Sequence, residues 1–446
     1  MTQSPPGSRL PGVVQAIRYA RDPVGLLERY QRRYGDVFIL PFPAFGRLVY
    51  VADPDLIKQV FTGGPGTFHA GAANARALEP VLGRFSLLTL DGDDHLRQRK
   101  LLLPPFHGEA VRRYRDLIAE IAAREVERWP VGRPFELRPR MQAITLEVIL
   151  RAVFGVRGEE RLGRFRALLP RLTDATGVQM WIPFLRRNLG PWSPWGRFLR
   201  MRAKVDELVF DEIRRRRAEP DAAERDDVLS LLLGARHEDG SPMSDRELRD
   251  ELITLLTAGH ETSATALAWA FERLLRNPGA MRELQAEVES GGDDYAEAVV
   301  KETLRVRPII TDVARLVTSD VELGRWVVRA GTIVVPAIAL VQLMPQVYPD
   351  PYEFRPERFL DGQPAPYTWI PFGGGVRRCL GAAFAQLEIR TVLQTVVERA
   401  ELRAPDPAPE RTRLRNVTLI PQRGARVVMD RRRAAAEPGA ATATYA

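Results

Sequence analysis

The chain has 446 residues, of which 45% are hydrophobic and 27% charged, so it can bury a large core as a globular protein. Its single cysteine excludes a disulfide framework and any multi-cysteine zinc or iron–sulfur site. The formal charge of +8 comes almost entirely from arginines scattered along amphipathic stretches, which argues against nucleic-acid binding. The N-terminal sequence has neither a signal-peptide h-region nor the ~20 apolar residues that span a membrane, and we expect a cytoplasmic protein without a membrane span.

The N-terminal two thirds of the chain are predicted to be mostly helical. Residues 1–20 form a lead-in rich in proline and glycine, which we expect to be flexible. An amphipathic helix follows at about 21–34 and ends at Gly35, and the stretches GDVFILPF and GRLVYVAD predict two short strands. From about 54 to 300, helical patterns alternate with proline and glycine breaks.

The C-terminal third mixes short strands with irregular segments. The β-branched residues between 309 and 340 predict short strands, whereas residues 341–378 are rich in proline and glycine and lack clear periodicity. A structureless segment of that length is usually functional or disordered. A helix is predicted at about 380–400 and a hairpin-like region at 411–430, and the Ala-rich tail 431–446 is predicted to be disordered.

One helix in the middle of the chain is predicted to be long and buried. The stretch MSDRELRDELITLLTAGHETSATALAWAFERLLRN opens with Ser244 and Glu247, which fit a capping box, and its helical pattern continues for roughly thirty residues. At 1.5 Å per residue such a helix is about 45 Å long and can cross a whole domain. Between Leu252 and Ala270 it is apolar on most faces, which indicates burial.

Polar residues inside this apolar stretch allow two interpretations. Gly259 costs about 1 kcal/mol relative to alanine in mid-helix, and Glu261 and Thr262 are costly to bury unless they are bonded. The simpler interpretation is a helix kink with a few satisfied polar groups. The functional interpretation is that a group lies against Ala258 and Gly259, and that Thr262 and Glu261 deliver protons to it.

The only cysteine lies in the stretch PFGGGVRRCLGAAFAQLE, directly before a predicted helix. The unpaired N–H groups at a helix start, together with the nearby Arg377, favour a thiolate at Cys379. The glycines at 373–375 allow the backbone to approach a flat object closely. No Lys-Ser/Thr pair follows, which excludes a P-loop, and no histidine carries a protease signature. A plain buried cysteine is the remaining alternative.

The residues around this cysteine resemble a known haem-binding loop. The pattern F-x-x-G-x-R-x-C-x-G is similar to the loop of the cytochrome P450 family, and it is met at Phe372, Gly375, Arg377, Cys379 and Gly381. Four further motifs of that family occur in the family's order: H-x-x-x-R at His95 and Arg99, A-G-x-E-T at Ala258, Gly259, Glu261 and Thr262, E-x-x-R at Glu302 and Arg305, and P-E-R-F at Pro356–Phe359. The spacing E-x-x-R is weak by itself, because Glu109 and Arg112 show it too, and the position along the chain selects Glu302 and Arg305.

The resemblance implies a mainly α fold with small β-sheets (α+β), in which residues 21–430 form one cytochrome P450 domain. In this fold the long helix lies over haem b, and Cys379 is the iron ligand on the opposite side. Glu302, Arg305 and Arg358 are expected to form a buried network that holds the cysteine loop in place. The other residues assigned to the haem are His95, Arg99, Arg315 and Arg377 at its propionates, Phe372, Gly373 and Gly381 around the ligand loop, and Ala258 and Gly259 on the long helix.

The same resemblance places an apolar substrate pocket between distant parts of the chain. Its walls are expected from residues 69–90, from residues 180–184, and from Leu255, Ala258, Ile309, Ile310, Val313, Val417, Thr418 and Leu419. An apolar pocket favours a lipid, terpenoid, steroid or polyketide-like substrate.

The implied reaction is the insertion of one oxygen atom from O₂ into a hydrophobic small molecule, with protons supplied through Thr262 and Glu261. The chain shows no flavin or ferredoxin motif, so electrons from NAD(P)H are expected to arrive through a ferredoxin or flavodoxin and its reductase, which dock on the basic face near Cys379. We expect a monomer. Alternatives on the same fold are a peroxygenase or an oxidative coupling or rearrangement enzyme, and an alternative of another class is a non-catalytic haem sensor.

One stretch departs from the family pattern. Before PYEFRPERF the family commonly has a His or Asn and then Arg-Asp-Pro, whereas this chain has VQLMPQVYPD, with Gln342, Met344 and Pro345. We expect the local contacts to differ there, without a consequence for haem binding.

Overall fold

The structure is a computed structural model that describes residues 4–64, 66–175 and 185–433. Most of these residues lie in helices, and the strands among them form four small sheets. The mainly α architecture with small sheets that the sequence predicts is therefore confirmed. Residues 180–184, expected in a substrate pocket, and residues 434–446 of the predicted tail lie outside the described residues.

The helices in the described part of the chain are α1 (Gly12–Arg21), α2 (Pro23–Tyr34), α3 (Pro54–Thr62), α4 (Ala70–Leu82), α5 (Gly92–Leu102), α6 (Glu109–Arg112), α7 (Arg115–Val126), α8 (Leu137–Ala152), α9 (Glu159–Ala175), α10 (Pro194–Ala218), α11 (Val228–Gly234), α12 (Asp245–Leu274), α13 (Pro278–Ser290), α14 (Asp294–Val306), α15 (Ile338–Gln342) and α16 (Ala382–Arg399). The strands are β1 (Val37–Phe42), β2 (Gly46–Val51), β3 (Phe68–His69), β4 (Pro134–Glu136), β5 (Arg315–Val317), β6 (Val321–Leu323), β7 (Trp326–Val328), β8 (Ile333–Pro336), β9 (Ala400–Arg403), β10 (Thr412–Arg415), β11 (Thr418–Pro421) and β12 (Arg426–Arg432). Among these helices, none combines the length and the apolar character that a membrane crossing requires.

The largest sheet joins N-terminal strands to strands that follow α14. Its order is β1-β2-β8-β5-β3, with β2 and β8 parallel and the other neighbours antiparallel. Successive side chains of a strand point to opposite faces. Phe38 and Leu40 accordingly pack against Tyr30 of α2, whereas Ile39 packs in the cluster that contains Ile57 of α3. The sheet is thus covered on both faces, which explains its nearly continuous apolar sequence.

The long helix α12 crosses the centre of the helical part. Its capping box forms as predicted: the Glu247 N–H donates to Ser244 Oγ over 3.2 Å, and the Ser244 N–H donates to Glu247 Oε2 over 2.7 Å. The helix packs against α8, α14 and α16. Trp269 is fully buried, and its indole N–H donates to the Leu419 carbonyl of β11 over 2.8 Å. The helix therefore links the helical core to the C-terminal hairpin.

The helix α16 begins just after the cysteine loop. Its N-cap residue is Gly381, so Cys379 lies two residues before the helix cap, where the sequence places it. The helix packs along α7 and α12. Phe384 contacts Phe106 and Tyr114 edge-on, with ring centroids 6.1 and 5.4 Å apart. This aromatic packing fixes the helix that carries the loop.

Both ends of the described chain differ from the sequence-based expectation. Gly12–Arg21 form a helix inside the expected flexible lead-in, and the buried Gln15 amide donates to Tyr30 Oη over 2.7 Å. Proline and glycine signal a break, but here they only start the helix. At the other end, β12 continues to Arg432 and pairs with β9, so the expected disordered tail begins inside a sheet.

A buried arginine near the end of α10 holds three helices together. Residues 214–217 are a basic run that suits a helix C-terminus, but Arg216 is completely buried. Its guanidinium bonds Asp227 Oδ1 over 2.5 Å and Ser230 Oγ over 2.6 Å. It also donates to the carbonyls of Phe154 and Gly155, over 3.0 and 3.1 Å. Arg216 of α10 thus links the segment directly after α8 to α11.

We expect Arg216→Ala to lower the free energy of unfolding by about 3–5 kcal/mol, because it leaves buried carboxylate and carbonyl groups without their partner. Its neighbour Arg215 is exposed, and Arg215→Ala is the matched control, expected within about 0.5 kcal/mol of the parent. Chemical denaturation followed by circular dichroism measures both. Equal midpoints for the two variants would show that the contacts of Arg216 contribute no stability.

Candidate active site

The cysteine lies on a tight loop whose shape requires glycine. Gly373 and Gly375 have positive φ angles of 67° and 62°, which side chains rarely tolerate. A Cβ at Gly375 would also collide with the carbonyl oxygen of Phe61 at the end of α3. The Cys379 N–H donates to the Phe372 carbonyl over 2.8 Å and closes the loop. Backbone geometry therefore sets where the sulfur lies.

The surroundings of the Cys379 sulfur do not by themselves favour a thiolate. Burial raises the pKa of the Cys379 thiol, and the hydrogen bond from the Gly381 N–H and the charges of Arg378 and Arg99 only partly oppose this rise. In the protein alone, desolvation outweighs the helix start and the nearby arginines, so the thiolate that the sequence predicts depends on a bound metal cation. A coordinating thiol loses its proton, and such a cation would therefore reverse the balance. Part of the Cys379 residue is accessible to solvent although protein atoms surround the sulfur closely, so a ligand can reach it.

Four basic side chains from three parts of the chain converge near this loop. Burial, followed by the charges of Arg377, Arg99 and Arg315, lowers the pKa of His95 to about 3. Burial and the charge of Arg377 lower the pKa of Arg315 to about 10. Within the described residues, the ion pairs of these arginines involve a single carboxylate, Asp91, which lies 2.5 Å from Arg377. Three arginines with one carboxylate leave buried positive charge that suits a ligand with two negative charges.

Asp91 organises this site, although the sequence analysis does not single it out. It occupies the N-cap position of α5, but its side chain makes no capping bond there. Its two oxygens instead accept the N–H groups of Gly71 and Ala72, over 2.8 and 2.7 Å, at the start of α4. It thereby joins α4 to Arg377. The local stretch DGDDH predicts a helix cap, whereas the actual partners lie about twenty residues earlier and nearly three hundred later.

The residues Glu302 and Arg305 form a fully buried, bidentate ion pair. The distances from Arg305 Nε and Nη2 to the two Glu302 oxygens are 2.6 and 2.7 Å. Arg358 Nε lies 3.5 Å from Glu302 Oε1, so the expected third member is adjacent. The three remaining N–H groups of Arg305 donate over 3.1, 2.8 and 3.1 Å to the carbonyls of Gln342, Pro351 and Glu353. The pair therefore ties α14 to the irregular segment that leads to the cysteine.

Gln342 explains how the chain accommodates its departure from the family pattern. Its buried side chain donates from Nε2 to the Leu304 carbonyl over 3.0 Å and accepts the Ile370 N–H at Oε1 over 3.1 Å. It thus links α14 to the residues just before Phe372. Met344 is uncharged and packs on an apolar cluster. That these contacts differ from those of other family members stays a prediction, but in this chain Gln342 connects α14 to the loop.

The exposed part of α12 centres on Ala258 and Thr262. Ala258 is accessible in the middle of an otherwise buried helix, and Thr262 Oγ1 donates to the Ala258 carbonyl over 2.5 Å. Gly259 allows α8 to pack closely, because a Cβ there would lie 2.8 Å from Ile149 Cδ1. Its expected place beside the haem stays a prediction.

Glu261 points away from Thr262 and is held by three side chains. It forms an ion pair with Arg138, accepts a hydrogen bond from Gln142 Nε2 over 2.7 Å, and lies 3.4 Å from Arg415 Nη1. Its neighbour His260 is buried, and this burial lowers the pKa of the imidazole to about 4. The sequence brings Glu261 and Thr262 together, but the structure gives them different partners.

Comparison with known proteins agrees with this geometry. The family described as Cytochrome P450 matches residues 4–429. The chain belongs to the cytochrome P450 family. Among its relatives, the protein named cytochrome P450 135B1 of Mycobacterium tuberculosis is 45% identical over 442 residues, covering 95% of this chain and 90% of the relative. The protein named cytochrome P450 138 of Mycobacterium bovis is 42% identical over 429 residues, covering 96% of each.

Solved cytochromes P450 share the fold at low sequence identity. A cyanobacterial structure with bound retinoic acid, CYP120A1, superposes with a TM-score of 0.83 at 23% identity, over 96% of this chain and 99% of the other. The haem domain of cytochrome P450DA gives a TM-score of 0.85 at 23% identity, over 97% and 99%. At this identity the likeness shows the fold alone.

Cytochromes P450 hold haem b through a cysteine, and the residues of this chain fit that group. An accessible sulfur lies on a glycine loop that a flat molecule can approach. The buried excess of arginine charge at Arg99, Arg315 and Arg377 suits two propionates. Ala258 leaves open space beside α12.

The individual residues expected in the substrate pocket lie in three neighbouring parts of the fold: α12, the loop after α14, and β11 with the residue before it. Leu255 and Ala258 lie on α12, and the loop after α14 meets β11, where the Leu419 N–H donates to the Ile309 carbonyl over 2.8 Å. The remaining expected wall residues differ in exposure: Val417 is exposed, Ile310 and Val313 are half-buried, and Thr418 is buried. The Thr418 hydroxyl donates a hydrogen bond to the Arg415 carbonyl over 3.0 Å.

We expect Glu302→Ala to lower the free energy of unfolding by about 3–5 kcal/mol, because it leaves the buried Arg305 guanidinium without its carboxylate. The matched control is Glu109→Ala. That glutamate forms an exposed ion pair of the same i,i+3 spacing with Arg112, and such pairs contribute little. Urea denaturation of both variants tests this difference, and similar losses would contradict a special role for the buried pair.

Proposed function

We propose that this cytochrome P450 is a monooxygenase that inserts one oxygen atom from O₂ into a hydrophobic small molecule of lipid, terpenoid, steroid or polyketide type. The observation that carries the proposal is one accessible cysteine sulfur beside a buried excess of arginine charge. The likeness of the whole chain to named cytochromes P450 supports it.

Cys379 would hold the haem iron from one side, and the basic cluster of His95, Arg99, Arg315 and Arg377 would bind its propionates. When bound, the haem supplies oxygen activation, and a thiolate ligand favours O–O cleavage over reversible O₂ storage. Arg377 is held in place beforehand by Asp91 and by the Leu87 carbonyl, 3.0 Å from its Nη1. Phe372, Gly373 and Gly381 shape the loop around the sulfur.

Thr262 would hold and deliver a proton at its Oγ1. Because its O–H is directed to the Ala258 carbonyl, its lone pairs remain available to accept a hydrogen bond from water. Glu261 is paired with Arg138 and bonded to Gln142, so it would have to leave these partners to reach Thr262. Gln142 also lines a cavity of about 330 Å³ between α7, α8 and α9. We propose that Glu261 exchanges between its partners and the vicinity of Thr262.

The finer assignments of substrate and partner rest on the chemistry of the surfaces. The pocket residues Leu255, Ile309, Ile310 and Val313 are apolar, which favours a hydrophobic substrate. Arg378 and Val376 are exposed beside the cysteine loop, and an acidic ferredoxin or flavodoxin, reduced by NAD(P)H through its reductase, is the partner we assign to this side. We further infer a monomer in the cytoplasm.

The decisive experiment is the reduced CO-difference spectrum of the haem-loaded protein. We expect the parent to show a thiolate-type band and Cys379→Ser to lose it, because a hydroxyl does not replace the sulfur as ligand. Ala383→Ser is the matched control, since it adds the same hydroxyl at an exposed position four residues later, and it should keep the band. Far-UV circular dichroism checks that both variants fold. A thiolate-type band in Cys379→Ser would refute the ligand assignment.

We expect Thr262→Ala to raise the hydrogen peroxide released per NAD(P)H consumed several-fold, because it removes the proton-holding hydroxyl. The CO-difference band should not change. Thr257→Ala is the control, because Thr257 makes the same kind of hydroxyl bond to its own helix, to the Ile253 carbonyl over 2.7 Å. A surrogate ferredoxin and reductase supply electrons. If both variants leak peroxide equally, Thr262 has no special role in proton delivery.

A further inference from the structure

Two segments far apart in the sequence expose large apolar side chains. The first is residues 4–21, which contain α1, and the second is residues 185–205, which contain the start of α10. Trp192 is 85% exposed, Leu189 79% and Val13 61%. The other exposed apolar side chains of these two segments are Leu10, Val14, Ile17 and Leu185. Such a concentration is unusual, because single exposed apolar residues are normal but clusters mark interaction sites.

The helix α1 turns two of its polar side chains toward the protein and leaves apolar and basic side chains outside. Gln15 is buried against Tyr30, and Tyr19 Oη donates to Asp312 Oδ2 over 2.7 Å, whereas Arg18 and Arg21 are exposed. Val13 and Ile17, four residues apart, both point to solvent. Inward hydrogen bonds therefore hold the apolar face outward, so its exposure is a built feature of the helix.

A series of contacts connects the two segments into one face. The backbone beside Gly12 packs against Phe42 and Pro43 in the β1–β2 turn, where an added Cβ would lie 3.2 Å away. From the same turn, the Ala44 carbonyl accepts a hydrogen bond from Arg76 of α4 over 3.3 Å. The Arg76 carbonyl in turn accepts one from Arg186 over 2.5 Å. We call residues 4–21, the β1–β2 turn, Arg76 and residues 185–205 the apolar-basic face.

Most of the chain's excess positive charge lies on this face. Residues 4–21 and 185–205 hold nine arginines and lysines and no aspartate or glutamate, whereas the net charge of the whole chain is +8. Arg9, Arg18, Arg187 and Arg197 are exposed, and within the described residues none of them forms an ion pair. Arg200 lies over the Trp192 ring, 5.9 Å from its centroid. Arginines that are scattered along the sequence are thus concentrated around these exposed apolar residues.

We propose that the apolar-basic face docks on the surface of an anionic lipid bilayer. Apolar side chains of α1 and the Trp192 ring enter the headgroup region, and the surrounding arginines contact lipid phosphates. An amphipathic helix with basic flanks and an interfacial tryptophan is the combination that lies in a membrane surface without spanning it. The length of the exposed amphipathic segment and the spread of exposed arginines around it favour a lipid surface over a single protein partner. Docking of this face on a membrane does not depend on the oxidation reaction proposed above.

The test is sedimentation of the haem-loaded full chain with vesicles of phosphatidylcholine alone or mixed with phosphatidylglycerol. We expect binding to the anionic vesicles, and we expect high salt to weaken it strongly. Arg187→Glu with Arg197→Glu should weaken binding by at least about tenfold, since each basic residue near such a surface contributes about fivefold. Arg282→Glu, an exposed arginine on α13, is the charge control and should have little effect.

A second pair of variants tests whether the apolar side chains enter the lipid. Trp192→Ser with Ile17→Ser should weaken binding at least several-fold, whereas Leu360→Ser, exposed outside the face, should not. Brominated lipids should quench the tryptophan fluorescence of the parent and quench Trp192→Phe much less. The CO-difference band shows that each variant is intact.

Four outcomes would overturn the proposal. The first is no binding to anionic vesicles, and the second is equal, salt-insensitive binding to both vesicle types. The third is a loss of vesicle binding in the arginine variants only, which would show that charge alone attaches the face and that the apolar side chains do not enter the lipid. The fourth is a dimer in the absence of vesicles that Trp192→Ser dissociates, which would assign the face to a second copy of the chain.

Discussion

The ordered position of the cysteine depends on one fully satisfied guanidinium. Arg305 is completely buried and has five N–H groups, and each of them finds an acceptor: two on Glu302 and three on backbone carbonyls. A buried charge is costly unless it is paired and fully bonded, so this arginine requires the irregular segment to adopt one path. That path includes Gln342, which bonds the Ile370 N–H just ahead of the loop. A segment with little regular structure of its own is thereby ordered from α14.

The basic cluster near the cysteine follows the opposite principle. Arg99, Arg315 and Arg377 are pushed toward lower pKa by burial, and only Asp91 pairs with them among the described residues. Around Arg305 the protein itself supplies the neutralising carboxylate, whereas around Arg99, Arg315 and Arg377 a bound anionic ligand would supply the missing negative charge. Burial likewise raises the pKa of the Cys379 thiol, and a bound metal would replace its proton. Unbalanced charge and a raised thiol pKa are what a site that a charged cofactor completes would show, and both support the assignment proposed above.

The sequence predicts those features whose causes are local. The capping box at Ser244 and the apolar pattern behind it predict α12, because the signals that start and bury a helix lie within the helix. The E-x-x-R spacing at Glu302 predicts an ion pair, but the same spacing at Glu109 gives an exposed pair with little effect. Burial separates the two, and burial follows from the tertiary fold. Only the order of the motifs along the chain allowed the correct choice.

Contacts across the fold were beyond such reasoning. Asp91 stands directly before a helix, where an aspartate is typical of an N-cap, but its side chain bonds α4 and Arg377. Glu261 binds Arg138 on another helix. Gly259 shows that a glycine can mark a close contact without revealing which group makes that contact. A glycine in the middle of a buried helix does indicate a close approach, but the approaching group is Ile149 of α8. Residue type reveals that space is needed, whereas the tertiary structure decides what fills it.

Arginine illustrates the same limit at the level of composition. The chain uses this residue in three environments: buried and paired with carboxylates at Arg305 and Arg216, buried with too few carboxylates at Arg315, and exposed at Arg187, which forms no ion pair with the described residues. A net charge of +8 averages over all three and carries no information on any of them. In the first environment the charge specifies the backbone path, and in the second it creates affinity for an anionic ligand. In the third it remains available to an external surface, so position, not number, determines what each charge does.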